Sequence, residues 1–140
     1  MAALTADRNT PAREGALFTF DVAAATVIYA GAIVCRNAAG NAVPGSTATT
    51  LVALGRAEAK VDNSTGAIGD QKVTVRPGIF RYANSAAGDA ITKADVGNDC
   101  YIVDDQTVAK TNGTNTRSVA GKVINVDALG VWVSIGTVHA

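Results

Sequence analysis

Few side chains in the chain could carry out acid–base or nucleophilic chemistry, and they do not cluster in the sequence. His139 is the only histidine and the penultimate residue. Asp104 and Asp105 are adjacent, as a carboxylate pair or a cation site would require, but aspartate is also favoured in a turn between two strands. Asp95 and Asp99 lie nearby, with a spacing that matches no calcium-binding loop. These patterns predict no catalytic residue, no metal site and no bound cofactor.

The two cysteines, Cys35 and Cys100, each lie among apolar residues. No CxxC motif or Cys/His cluster accompanies them, so the spacing does not indicate a metal site. Burial as reduced thiols is the preferred interpretation, because unpaired cysteine behaves as a small hydrophobic residue. A disulfide remains open at this point if their strands are neighbours.

Three further residues have two interpretations each. Trp132 is the only tryptophan, in the segment GVWVSIG, and it either fills the core or anchors an interface. The core is the preferred interpretation. Asn63 and Asn112 begin the N-x-[ST] pattern of glycosylation. We interpret both as turn residues, because the first residues of the chain do not resemble a secretion signal.

Composition favours a single all-β domain to hold these residues. The chain has 140 residues, of which 48% are hydrophobic and only 5% aromatic, so alanine and valine must fill most of the core. From residue 99 to 135, short apolar runs alternate with turns of Asp, Asn and Gly. About nine short strands, separated by such turns along the chain, predict a small β-barrel or sandwich.

The pattern of apolar residues locates several of these strands. Residues 17–22 and 71–76 alternate as half-buried strands do, and 26–35 reads as one strand bent at Gly31. Residues 50–54 and 56–61 read as two strands separated by a bulge or corner at Gly55. At most one or two short helical turns are predicted, one of them near residues 92–96, where Thr92 precedes an acidic residue by three positions.

The predicted organisation has three parts. Residues 1–15 form a polar, flexible N-terminal arm, residues 16–136 a β-rich domain and residues 137–140 a C-terminal tail. Twelve basic and twelve acidic residues give a formal net charge of zero, which argues against nucleic acid as a partner. No run approaches the ~18 apolar residues of a membrane span, so no membrane partner is expected.

The second half of the chain resembles the decoration, or cement, proteins of tailed-bacteriophage heads. The resemblance lies in GDAIT at 88–92, CYIVDDQTV at 100–108, AGKV at 120–123 and the segment 126–133 that ends in GVWV. It implies a compact β domain, called a β-tulip in some members. It also implies a place on the outer capsid surface of a virion, after synthesis in the cytoplasm of the bacterial host.

The resemblance further implies the partners. These are the major capsid protein and other copies of the chain, in a dimer or trimer. An N-terminal arm that becomes ordered on the capsid is a recurring family theme, and its candidates here are Leu4, Thr5, Asp7, Arg8, Asn9, Thr10, Pro11 and Arg13. A head-completion or tail protein, or a displayed module that binds a host or carbohydrate, is the alternative. An enzyme is not expected.

Overall fold

The computed structural model describes residues 2–3, 5–6, 8 and 17–136, and this part of the chain is almost entirely β-structure. No helix within it is long and apolar enough to cross a membrane. The predicted all-β class is therefore confirmed. The strands are β1 (Phe18–Asp21), β2 (Thr26–Ile28), β3 (Ile33–Arg36), β4 (Ala42–Pro44), β5 (Val52–Ala57), β6 (Val61–Asn63), β7 (Lys72–Arg76), β8 (Gly78–Asn84), β9 (Asp99–Ile102), β10 (Thr107–Ala109), β11 (Val119–Asp127) and β12 (Gly130–Ile135).

The strands form a closed barrel, an open sheet and a small ribbon. The barrel has the order β10-β8-β12-β11-β9, and the open sheet has the order β1-β7-β5-β3-β4. Strands β2 and β6 pair with each other in a separate ribbon. The barrel closes where β8 and β10 run parallel, while its other neighbouring strands are antiparallel. Residues 78–135 thus build the barrel, whereas the open sheet comes entirely from residues 18–76.

Strand β3 joins two hydrophobic cores because both of its faces are buried. Ile33 and Cys35 pack into the larger core, which they share with buried barrel residues such as Val133. Val34 points the other way and packs into a second core with Ile28 and residues of the open sheet. Alternate side chains of a strand point to opposite faces, so one short strand can seal two cores.

The prediction of one bent strand over 26–35 is wrong, because the chain reverses within it. Ala32 N–H donates to Tyr29 O at 3.1 Å, and Gly31 has a φ of +85°. That left-handed conformation is easy for glycine and costly for other residues. The result is two strands with different neighbours: β2 pairs with β6, while β3 pairs with β4 and β5.

The bulge predicted at Gly55 is confirmed, but the strands around it differ from the prediction. β5 runs through Gly55, and its pairing with β3 shifts register there. A Cβ on Gly55 would lie 2.5 Å from Arg76 O, which explains the glycine. The predicted strand over 56–61 is wrong: β5 ends at Ala57, and Ala59 is exposed in the turn that precedes β6.

The helical turn predicted near 92–96 is present as a 3-10 turn over Lys93–Asp95. The Asp95 carboxylate accepts hydrogen bonds from Thr92 N–H at 2.8 Å and from the Thr92 hydroxyl at 3.2 Å. A second 3-10 turn, Ala87–Asp89, precedes it. Both lie on the connection between β8 and β9, so the helical content matches the expected one or two short turns.

Both cysteines are unpaired and fully buried in the larger core, as the sequence predicts. Burial raises the pKa of each thiol from about 9 to about 12. Above pH 9 the thiols of the unfolded chain lose their protons while those of the folded protein keep them. Stability is therefore complete below pH 9 and is lost as the pH rises toward 12, by roughly 1 kcal/mol for each pH unit and each thiol.

Urea denaturation between pH 8 and pH 10.5 measures this loss, with Cys35→Ala/Cys100→Ala as the comparison. The variant starts from a lower stability, because each truncation leaves a cavity, but its stability is expected to fall less steeply with pH. Equal slopes for the two proteins would show that these thiols do not set the alkaline limit.

Candidate interaction surface

The candidate acidic pair, Asp104 and Asp105, lies in the turn between β9 and β10. Asp104 Oδ1 accepts the Gln106 N–H at 2.9 Å, and Asp105 O accepts the Ile33 N–H at 2.8 Å. The turn interpretation is confirmed, and the second bond ties this turn to β3. Within the described residues, no group of three His, Cys, Asp or Glu side chains is placed to hold a metal ion.

Two of the predicted arm residues, Thr5 and Arg8, are exposed in the structure. The other six lie outside the described residues: Leu4, Asp7, Asn9, Thr10, Pro11 and Arg13. His139 also lies outside them. The capsid-binding arm therefore stays a prediction.

Trp132 is not part of the core, so the preferred interpretation of this residue is wrong. Val131 and Val133, its neighbours in β12, are fully buried inside the barrel. Trp132 points to the opposite, outer face of the strand and is half-buried. The sequence holds a signal for this arrangement, since Trp132 shares its face with Ser134 while the apolar residues of GVWVSIG share the other.

Asp127 holds the Trp132 ring in place. Its Oδ2 accepts the indole N–H of Trp132 at 3.0 Å. Its Oδ1 accepts the N–H groups of Leu129 at 2.8 Å and Gly130 at 3.1 Å, across the β11–β12 hairpin. These bonds, the one from Trp132 first, hold the pKa of Asp127 below its usual value. A hairpin turn thus orients an aromatic ring that faces solvent.

Arg81 completes the same surface from the neighbouring strand. It lies opposite Trp132 in the β8–β12 register, and its guanidinium is 5.6 Å from the ring centroid. This distance permits a cation–π contact. Ile79 stands two residues earlier on the same face and is 53% exposed. We call Ile79, Arg81, Asp127 and Trp132 the Trp132 surface.

A groove of about 480 Å³ runs beside this surface. Arg56 reaches over it from the open sheet, with its guanidinium 4.5 Å from the Phe80 ring centroid and 2.8 Å from Glu58 Oε1. Two arginines and three aromatic residues thus line one groove between the barrel and the open sheet. The lining residues are Gly31, Arg56, Ile79, Phe80, Arg81, Tyr82 and Trp132.

Comparison with protein-family models, with curated proteins and with solved structures finds no match. The chemistry of the Trp132 surface and of its groove is therefore the basis for a functional proposal.

Proposed function

We propose that this chain is a structural virion protein, which binds the outer surface of a phage capsid and stabilises the shell as a cement protein. The Trp132 surface carries the proposal. Tryptophan and arginine are the residue types most enriched at the energetic centres of protein interfaces. Here Arg81 is exposed and Trp132 is half-buried, and both side chains are already oriented. Asp127 orients Trp132 through a hydrogen bond, and the indole ring orients Arg81. A preorganised surface loses less side-chain entropy when it binds.

The resemblance of residues 88–133 to phage decoration proteins supports the same proposal. A compact all-β domain is what that resemblance implies. In this proposal the major capsid protein is the partner, copies of the chain associate as dimers or trimers, and the N-terminal arm supplies a second contact. The chain performs no catalysis, and its place is the outside of the virion.

A shell gains stability from such a protein through many small contacts. An interface of standard size buries about 1,600 Å² in total. Many identical contacts act together on one shell, so a modest affinity at each site raises the resistance of the whole particle. The contact is between proteins, which agrees with a formal net charge of zero.

Binding to heads that lack this protein tests the proposal. Purified protein is expected to co-sediment with such heads in near-stoichiometric amount to the shell protein and to raise the temperature at which they break. Trp132→Ala is expected to weaken binding at least tenfold, since hot-spot residues contribute about 2 kcal/mol or more. Ile68→Ala, which truncates an exposed side chain on the β6–β7 connection, serves as the matched control.

Failure of the wild-type protein to bind heads or to strengthen them would overturn the proposal. Binding to host cells or to glycans in the same assay would favour a displayed adhesion module instead.

A further inference from the structure

Strand β8 has an open edge over residues 78–82. On one side these residues pair with β12, from Gly78 opposite Ile135 to Tyr82 opposite Val131. On the other side β10 joins only at Ala83 and at the residue after it. Among the described residues, the first five positions of β8 therefore have a single neighbouring strand. We call residues 78–82 the β8 edge.

The backbone groups of Ile79 and Arg81 point toward this open side. Ala83 N–H donates to Gln106 O at 2.8 Å, on the side away from β12. Ile79 and Arg81 lie four and two residues before Ala83, and the backbone groups of every second residue in a strand point to the same side. The N–H and C=O groups of Ile79 and Arg81 therefore also point away from β12. Neither residue takes part in a described backbone hydrogen bond on that side. Gln106 N–H, the group that would donate to Arg81 O if the parallel pairing of β10 continued, instead donates to Asp104 Oδ1.

The open edge adjoins the groove beside the Trp132 surface. Ile79, Phe80, Arg81 and Tyr82 all line that groove. Unpaired edges are normally blunted by proline, lysine or a bulge, because they recruit other strands. Pro77 stands just before this edge, but the segment GIFRY itself contains none of these devices. Arg56 and Arg81 both line the groove, but Arg56 is already paired with Glu58, so among the described residues the cationic group free for an acidic ligand is Arg81.

We propose that the β8 edge binds an extended, carboxylate-bearing segment of a partner protein by strand addition. Backbone hydrogen bonds from Ile79 and Arg81 align the segment, as in other β-augmentation complexes. An acidic side chain of the segment pairs with Arg81 in the groove, and its apolar side chains pack on Trp132. This inference rests on the proposed function, in which the segment belongs to the capsid protein.

A second copy of the chain fits the edge less well. Two β8 edges paired antiparallel about a two-fold axis would bring both copies of Arg81 and Arg56 to one junction. Like charges placed opposite each other destabilise a strand pair and oppose association. An acidic segment of a different protein removes that repulsion.

Two variants isolate the backbone contact. Ile79→Pro removes an N–H group that does not serve the β12 ladder. Ile79→Ala shortens the same side chain and keeps the N–H. Ile79→Pro is expected to bind heads lacking the protein at least tenfold more weakly than Ile79→Ala.

Two further variants test the charge. Arg81→Glu is expected to bind the same heads at least tenfold more weakly than Arg81→Lys, because a carboxylate repels the acidic segment. Thermal unfolding of each variant checks that it folds.

Hydrogen exchange of backbone amides tests the same contact in the wild-type protein. The amides of Ile79 and Arg81 are expected to be protected at least tenfold on heads relative to the free protein. Wild-type binding without this protection, or equal binding by Ile79→Pro and Ile79→Ala when both fold, would overturn the strand-addition proposal and leave the cement function standing. Absence of any wild-type binding would instead overturn the cement function and, with it, this inference.

Discussion

Replacing Gly121 with alanine is expected to lower the free energy of unfolding by about 3 kcal/mol. Gly121 lies at a register shift in β11, opposite Cys100 of β9. A Cβ at this position would lie 2.0 Å from Ser134 O, the backbone oxygen of the neighbouring strand β12. The obstacle is a backbone atom, so no change of rotamer relieves it. The three barrel strands must separate locally, and the core behind them loses its packing.

Urea denaturation of Gly121→Ala beside Gly88→Ala measures this effect. Gly88 lies in an exposed 3-10 turn, and an added Cβ there meets no atom within 4 Å. Its replacement is expected to change the free energy of unfolding by less than about 0.5 kcal/mol. Similar stabilities for the two variants would show that β11 and β12 are not as close at Gly121 as described.

Truncating Asn63 to alanine is expected to cost about 3 kcal/mol. This side chain is only 2% exposed, at the end of β6. Its amide Nδ2 donates to Ala23 O at 2.9 Å and to Ala67 O at 3.0 Å, with Val22 O at 3.4 Å. One side chain thereby joins the segment after β1 to the loop after β6. Without it, the part-buried carbonyl oxygens of Ala23 and Ala67 lose this donor and a cavity is left at a buried position.

Asn98→Ala provides the matched control for this loss. Asn98 is exposed, and its described hydrogen bonds come from its backbone. A thermal melt of both variants is expected to show a large decrease in Tm for Asn63→Ala and almost none for Asn98→Ala. Equal Tm values for the two variants would show that the Asn63 amide does not stabilise the contact between these two segments. Asn63 is therefore the last residue of β6 with a buried, engaged amide, whereas the sequence predicted only a turn residue.

Local patterns in the sequence predicted the elements whose determinants are themselves local. The alternation of Val73 and Val75 identified β7, since one face of that strand packs on a core and the other does not. The aspartates at 104 and 105 identified a turn, and Thr92 with Asp95 identified a 3-10 turn. Gly55 marked a bulge. Each of these depends on residues a few positions apart, so turn chemistry and side-chain period were sufficient.

The predicted strand boundaries were wrong where a strand is buried on both faces or where a turn interrupts it, because neither leaves an alternating pattern of apolar residues. β3 contributes Ile33 and Cys35 to one core and Val34 to the other, so its sequence shows no alternation. The continuous apolar run 26–35 therefore concealed the reversal at Gly31. A run buried on both faces carries no periodic signal that separates it from its neighbours.

By itself, the sequence determined an all-β domain with small apolar side chains in its core, buried thiols and turns of Asp, Asn and Gly. Only the tertiary structure decided that Trp132 lies beside Arg81 and that β8 keeps an open edge over residues 78–82. The physical reason is the distance along the chain. Strand pairing brings together residues about fifty positions apart, such as Arg81 and Trp132. Which face is buried depends on that register, which local residue preferences do not encode.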